Sequence, residues 1–375
     1  MKVLHIAKDE KFIDAAIKEF NRVLWIENRF LVISDGELKY VKSKVDRISV
    51  LEYSHFMNSF QCYSSYELIV FHSIDINDRQ FLKNIPRTIK ILWIGWGFDY
   101  INIIDYSKRS FLSKKTKILL DRRKIPFKIC LATKLKQNFI ISSLQTFSFR
   151  LETNRVDFFA PVIKEDYLII KNKWKYFKPK YVQWNYGIYT GNLEDVFDSA
   201  KVGNNIIVGN SASPFNNHLD IFHKLSDLKL GDSKIICPLS YGDKWYASQV
   251  IAQGKRLFDG FHPLVDFLKL EDYNSILESC SIGIFGHYRQ QATGNITMLL
   301  SMGTKIFLYE RNPLFQYYTK NGYIIFKIED INQKSLEGLT REEIEHNKRI
   351  SIKRFKDPDY VNRTELLIQK MFLNS

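Results

Sequence analysis

Short apolar runs alternate with helical patterns along nearly the whole chain. In the first half, the runs at Val3–Ala7, Phe30–Ser34, Ile48–Tyr53, Leu68–His72 and Ile89–Gly95 predict buried strands. Between the first two, Phe12, Ala15, Ala16, Phe20 and Val23 fall on one stripe at helical spacing, which predicts a helix over about Glu10–Arg22. A second series predicts strands at Asn205–Gly209, Lys234–Pro238, Ser281–Phe285, Lys305–Tyr309 and Tyr323–Lys327. Helical patterns at Asn217–Leu225, Lys244–Gln253, Glu271–Ser279, Asn295–Met302 and Leu314–Asn321 separate or follow them, and Asp359–Leu373 carries one more apolar stripe. Such alternation is the mark of an α/β protein built on parallel sheets.

With 375 residues, the chain is too long for one ordinary core, and a two-domain division follows. The expected parts are residues 1–175, residues 176–350, and a terminal helix in 351–375 that returns to the first domain. Two Rossmann-like parallel-sheet domains facing a cleft, closed by a returning helix, describe the GT-B architecture; two ordinary doubly wound domains describe the same pattern. Hydrophobic residues at 45% and charged residues at 26% exclude a disordered chain. No apolar run approaches the roughly 20 residues that span a bilayer, and the N-terminal segment lacks the apolar core of a signal peptide. A cytoplasmic location is the expectation, with Cys62, Cys130, Cys237 and Cys280 as buried, reduced thiols, since their spacing fits neither zinc nor a disulfide framework.

The 55 Lys+Arg exceed the 41 Asp+Glu by 14, which points to nucleic acid, an anionic membrane or a phosphate-bearing substrate as partner. The excess concentrates in residues 107–136, where Asp121 is the one acid among many lysines and arginines interleaved with Leu, Ile and Phe. This stretch reads as an insertion in the first domain. Its Lys114, Lys115, Arg122 and Arg123 are candidates for contact with anionic lipid, and a solvated helical face is the plainer alternative.

Ligands of open parallel sheets bind beyond the carboxyl ends of the strands, so the loops after the apolar runs carry the candidate chemistry. The loop Val208–His218 offers Asn210, Ser211, Asn217 and His218 ahead of a helix that favours an anion, or else a plain turn and cap. The loop Pro238–Tyr246 offers Tyr241 to stack on a base, with Gly242 and Tyr246; each tyrosine also reads as a core cap. The loop Phe285–Asn295 concentrates His287, Arg289, Gln290 and Gln291 before Gly294 and Asn295, a setting for a diphosphate held by Arg289 and helix-end amides. In the first domain, Gly95 and Gly97 bracket a tight segment before Asp99, a candidate general base or a helix cap; Asp9 is a weaker candidate, and His5 reads as a core histidine. The single Asp-x-Asp, Asp357-Pro358-Asp359, reads as a helix start, and no metal site or GxGxxG sequence is present.

Four segments together resemble a known family: WIGWGFD at Trp93–Asp99, VGNSASPFNNH at Val208–His218, PLSYG at Pro238–Gly242, and above all IGIFGHYRQQATGN at Ile282–Asn295. The chain is similar to the bacterial TDP-N-acetylfucosamine:lipid II N-acetylfucosaminyltransferases, the 4-acetamido-4,6-dideoxygalactose transferases of enterobacterial common antigen synthesis. The resemblance implies a GT-B fold, a dTDP-activated deoxyamino sugar as donor, a polyprenyl-diphosphate-linked (undecaprenyl) saccharide as acceptor, and hexosyl transfer without a metal ion or other cofactor. It places the Asn210, Tyr241 and Arg289 loops on the donor and Asp99 on the acceptor, at the inner face of the bacterial plasma membrane. Gln290 and Gln291 stand where many glycosyltransferases carry acidic ribose ligands, which leaves the ribose contacts open. A nucleotide-sugar epimerase or hydrolase of the same fold is the enzymatic alternative. A basic nucleic-acid-binding protein is a second alternative, with no RNA-recognition signature in its favour.

Overall fold

A computed structural model describes residues 1–105, 107–123, 139–186 and 203–372. The chain divides into two compact units: Met1–Ser107 with Leu131–Tyr189 and Pro358–Ser375, and Lys108–Cys130 with Thr190–Asp357.

The first unit holds β1 (Lys2–Lys8), β2 (Glu27–Ile33), β3 (Asp46–Ile48), β4 (Leu68–His72), β5 (Lys90–Ile94), β6 (Phe158–Ala160) and β7 (Lys180–Tyr181), in the order β3-β2-β1-β4-β5-β6-β7. Every pairing is parallel. β4 is buried on both faces, which is why it reads as an unbroken apolar run. One face packs Trp93, Phe149 and Phe159; the other packs Val3, Phe20, Val70 and Trp184 with Leu367, Ile368 and Met371 of the Arg363–Phe372 helix. The Trp184 indole donates to Thr364 Oγ1 at 2.8 Å, which fixes that helix in place.

The second unit holds β8 (Asn205–Val208), β9 (Ile235–Pro238), β10 (Phe261–Leu264), β11 (Cys280–Phe285), β12 (Lys305–Leu308) and β13 (Phe326–Lys327), in the order β10-β9-β8-β11-β12-β13, again all parallel. Both sheets reverse direction of growth beside their first strand, between β1 and β4 and between β8 and β11. Those reversal points are where an open sheet leaves room for a ligand.

Three expectations need correction. The run Ile48–Tyr53 is not one strand: β3 ends at Ile48 and Val50–Asn58 is a helix, started by a Ser49–Glu52 capping box. Cys62 is exposed, whereas Cys237 and Cys280 are buried; Cys130 lies outside the described residues. The described part of the basic stretch beyond Ser107, residues 108–123, belongs to the second unit and not to the first. Its Lys114–Asp121 helix is bolted to the His218–Leu225 helix, where the Asp220 carboxylate accepts the Lys115 and Thr116 amides at 3.0 and 3.1 Å. Lys124, Lys128, Lys134 and Lys136 lie outside the described residues.

Candidate functional site

The second unit's reversal point is built from the inside out on side-chain amides and imidazoles. After β8 the backbone turns at Gly209, whose φ of 71° lies in the left-handed region. A Cβ there would sit 2.6 Å from His218 Nε2 and 2.7 Å from Asn216 Oδ1, so the turn needs glycine twice over. Asn216 Oδ1 accepts the Asn210 amide at 3.0 Å and the His287 Nε2–H at 2.7 Å, joining the loops after β8 and β11. Asn217 Nδ2 donates to the Gly286 carbonyl at 2.7 Å, making a second tie between the same loops. Tyr246 Oη bonds His218 Nδ1 at 3.2 Å.

Asn216, Asn217, His218, Tyr246 and His287 have no exposed surface. Burial holds the His218 ring neutral with its pKa down at about 3 and pushes His287 well below the ordinary value, helped there by the nearby Arg289 charge. This layer is therefore a buried floor tied together by its own side chains, with His218 Nε2 and His287 Nδ1 left without a hydrogen-bond partner among the described residues.

Above it lie the groups that are still available. The Asn210 side chain donates to Tyr241 Oη at 3.0 Å and accepts from Gln291 Nε2 at 3.1 Å, so the loops after β8, β9 and β11 meet at one residue. Ser211 is buried beside Asn216, and Gly242, at φ 118°, lets the β9 loop pass against Ala212, where a Cβ would lie 2.7 Å from that residue's carbonyl carbon. Tyr241 keeps 55% of its surface exposed. Gln290 Nε2 donates to Thr293 Oγ1 at 2.6 Å, yet the Oε1 atoms of Gln290 and Gln291 are buried and accept nothing among the described residues. A buried acceptor without a donor costs about 1–3 kcal/mol, which a bound hydroxyl or N–H would relieve.

These glutamines border the N-terminus of the Thr293–Ser301 helix, entered through Ala292 in the left-handed conformation and carrying the exposed Gly294 in its first turn. Arg289 lies over the Phe215 ring at 5.0 Å and donates to the Gln290 carbonyl at 2.9 Å; Asn295 donates to Tyr273 Oη at 2.9 Å. A guanidinium and a helix N-terminus each favour an anion.

Sequence reasoning missed a further component. Ser113, which precedes the Lys114–Asp121 helix, donates its amide to Asn217 Oδ1 at 2.7 Å and its hydroxyl to Tyr288 Oη at 2.7 Å. Ser113 thus braces the loops after β8 and β11. Arg123 is paired with Asp243 at 2.5 Å and lies over Trp245, while Lys114, Lys115 and Arg122 are exposed.

The first unit ends its strands differently. Asp99 is 4% exposed; its carboxylate accepts the Trp93 indole N–H at 2.7 Å, the Trp96 amide at 2.9 Å and the Ile74 amide at 3.4 Å. Burial still raises its pKa. These bonds pin the Gly95-Trp96-Gly97 turn. Asp9 likewise accepts the Lys39, Tyr40 and Val41 amides, at 2.6, 3.0 and 2.9 Å.

Glu10, which the sequence reading passed over, is half-buried and makes no side-chain hydrogen bond among the described residues. Burial and the adjacent Asp9 raise its pKa. It stands at the carboxyl end of β1, and the acid following a first strand was the available signal. Nearby, Phe12, Trp96 and Tyr186 form an aromatic wall with centroid distances of 5.5 and 4.9 Å.

Beneath this wall runs a buried relay. Asn28 Nδ2 donates to Phe20 O and Asn21 Oδ1, so its Oδ1 must accept from His5 Nε2–H at 3.0 Å. His5 Nδ1 then accepts from His72 Nε2–H at 3.1 Å, and His72 Nδ1 accepts the Tyr186 hydroxyl at 2.8 Å. Every tautomer follows from one amide, and burial holds His5 down at about 3. Among the described residues no group of three His, Cys, Asp or Glu side chains is set to hold a metal ion, and no helix is long and apolar enough to cross a membrane.

Solved structures share this architecture. A glycosyltransferase from Rickettsia africae ESF-5 aligns over 100% of this chain and 99% of its own, with a TM-score of 0.60 at 14% identity. Anabaena Alr3699/HepE, solved in complex with UDP and glucose, aligns over 99% and 95%, with a TM-score of 0.54 at 11% identity. A putative UDP-N-acetylglucosamine 2-epimerase from Listeria monocytogenes aligns over 100% and 97%, at 0.51 and 10%. At such identities they show the fold, two parallel-sheet α/β domains of the GT-B kind, and a fold that transferases and an epimerase share does not choose the reaction. The family model points to sugar transfer: residues 191–370, which include all six strands of the second sheet, match 4-alpha-L-fucosyltransferase, glycosyl transferase group 56.

Proposed function

We propose that this glycosyltransferase moves a 4-acetamido-4,6-dideoxygalactose-like sugar from a dTDP donor to an undecaprenyl-diphosphate-linked saccharide, working at the inner face of the bacterial plasma membrane. The observation that carries the donor assignment is the second unit's reversal point, where two buried glutamine acceptors lacking donors adjoin an arginine and a helix N-terminus. In this reading Arg289, the first-turn amides at Gly294 and Asn295 stabilise the leaving diphosphate as its charge develops. Tyr241 stacks on the base, and Gln290 and Gln291 accept from donor hydroxyls or the base N–H. Asn217, His218, His287 and Tyr246 act underneath, as the floor that fixes these loops.

On the acceptor side, the three donors already on Asp99 suit a loop anchor. The base that takes the acceptor proton is then Glu10, whose raised pKa and uncommitted oxygens suit that task. The domain expectation, 1–175 facing the acceptor and 176–350 the donor, is kept in this proposal with the basic stretch moved to the donor unit.

Thermal shift with dTDP, UDP, GDP and CMP tests the donor, with the largest stabilisation expected from dTDP and most of it lost in Arg289→Ala. Sugar transfer to a prenyl-diphosphate-linked acceptor tests the reaction. Donor consumption independent of acceptor would replace it with the epimerase or hydrolase reading.

A further inference from the structure

The Phe139–Thr153 helix has apolar side chains on both of its faces. Phe149 points into the core against Trp93, with a centroid distance of 6.2 Å. Ile140, Leu144, Phe147 and Leu151 are 68%, 63%, 56% and 53% exposed. Their spacing of four, three and four residues puts them in one line along the helix. Single exposed leucines are ordinary, but a continuous line of large apolar side chains marks a surface that meets something other than water.

Among the described residues, the charge left over around this line is positive. Arg155, just past the helix, donates to the carbonyls of Ile85, Pro86 and Ile89 at 2.9, 2.6 and 3.0 Å, which brings the exposed Lys83 and Arg87 to its end. The Lys178 amide donates to Asn154 Oδ1 at 3.0 Å and brings a third exposed cation. Arg150, one residue before Leu151, lies over Trp174, which is flanked by the exposed Lys173 and Lys175. The carboxylates in the same neighbourhood are already paired, Glu152 with Arg79 at 2.8 Å and Asp157 with Arg155 at 3.1 Å. An apolar line bordered by lysines on long flexible stems suits a sheet of anionic headgroups over hydrocarbon.

We propose that this face of the Phe139–Thr153 helix seats the protein on an anionic lipid bilayer, with Leu144, Phe147 and Leu151 in the acyl boundary and Lys83, Arg87, Lys173 and Lys178 at the headgroups. The helix bearing Lys114, Lys115 and Arg122 is the weaker docking element: it buries Thr116 against Asp220, and Ile118, at 41%, is its one large apolar side chain counted as exposed. A lipid-linked acceptor gives the docking its purpose and rests on the function proposed above, but docking itself is measured without any sugar chemistry.

Co-sedimentation of the full chain with phosphatidylcholine vesicles, with and without phosphatidylglycerol, is the test. Binding is expected to the anionic vesicles and to weaken with salt. A Leu144→Ser, Phe147→Ser, Leu151→Ser variant is expected to lose about tenfold or more in partitioning. Reversing the rim, with Arg87→Glu, Lys173→Glu and Lys178→Glu, is expected to abolish the preference for anionic lipid and gives a second readout should the serine variant fold poorly. A Lys114→Glu, Lys115→Glu, Arg122→Glu variant is expected to bind like the parent.

The proposal is overturned if the parent ignores anionic vesicles, if the serine variant binds undiminished, or if the Lys114 variant alone loses binding. It is overturned equally if the parent is dimeric in solution and the serine variant monomeric, which would assign the face to a second copy. Transfer to a water-soluble short-prenyl acceptor should be unchanged in all three variants. A parent that binds vesicles but transfers nothing would refute the function and leave the docking surface standing.

Discussion

The two units follow one strand order and finish it with different chemistry. At the second reversal point the loops are closed by amides and imidazoles, and acceptors are left over beside an arginine. At the first, carboxylates fix the turns while one acid and an aromatic wall are left over. Below each lies a pair of buried neutral histidines, His218 with His287 and His5 with His72. Topology decides where a site forms, and the residues left after the loops are secured decide what it takes.

Acid is the strongest way to break that pairing. All four histidines are held below the ordinary value by burial, His5 and His218 at about 3. An unfolded chain protonates them below about pH 6.5 while the native one does not, so their contribution is complete above that pH and is lost as pH falls towards 3. Asp78, raised to about 6 by burial, and Asp99, also raised, act in the opposite sense. Stability is expected to fall as pH drops below about 6.5, read as Tm against pH, and His72→Gln should flatten the slope.

Gly209→Ala is expected to cost about 3 kcal/mol, since it combines a left-handed φ with two clashes, and to remove nucleotide binding with it; calorimetry and nucleotide titration check both. A normal affinity would mean that the floor does not set the loop.

Glu10→Gln and Asp99→Asn separate the first unit's two kinds of carboxylate. The former should lower turnover about 100-fold with Tm unchanged, and the latter should lower stability by about 1–3 kcal/mol by turning an NH2 towards a donor. The reverse pattern would return the base to Asp99. The smallest effect is expected from Arg123→Ala, under about 1 kcal/mol in Tm terms, because that ion pair is a third exposed on each side.

Much of this was legible beforehand because it is local. Runs such as Leu68–His72 and Ser281–Phe285 announce buried strands, and the loop composition after them announces polar closure. What escaped was set by distant partners. Ser113 meets Asn217 across 104 residues, and no periodicity records that. Asp99 reads equally as a general base or a helix cap, because a sequence does not show that the indole six residues earlier donates to it. The strands β6 and β7 are too brief to make a pattern of their own, and β10, Phe261–Leu264, is as long as β8 but is interrupted by His262 and Pro263.

The Arg363–Phe372 helix has a consequence for how the molecule is made. Leu367, Ile368 and Met371 complete a core whose first strand begins at Lys2, so the ribosome must synthesise the whole second sheet before the first can close. Nascent chains would carry an open apolar seam beside Val3 and Phe20 throughout that interval, and the first unit would mature after the second, against the order of translation.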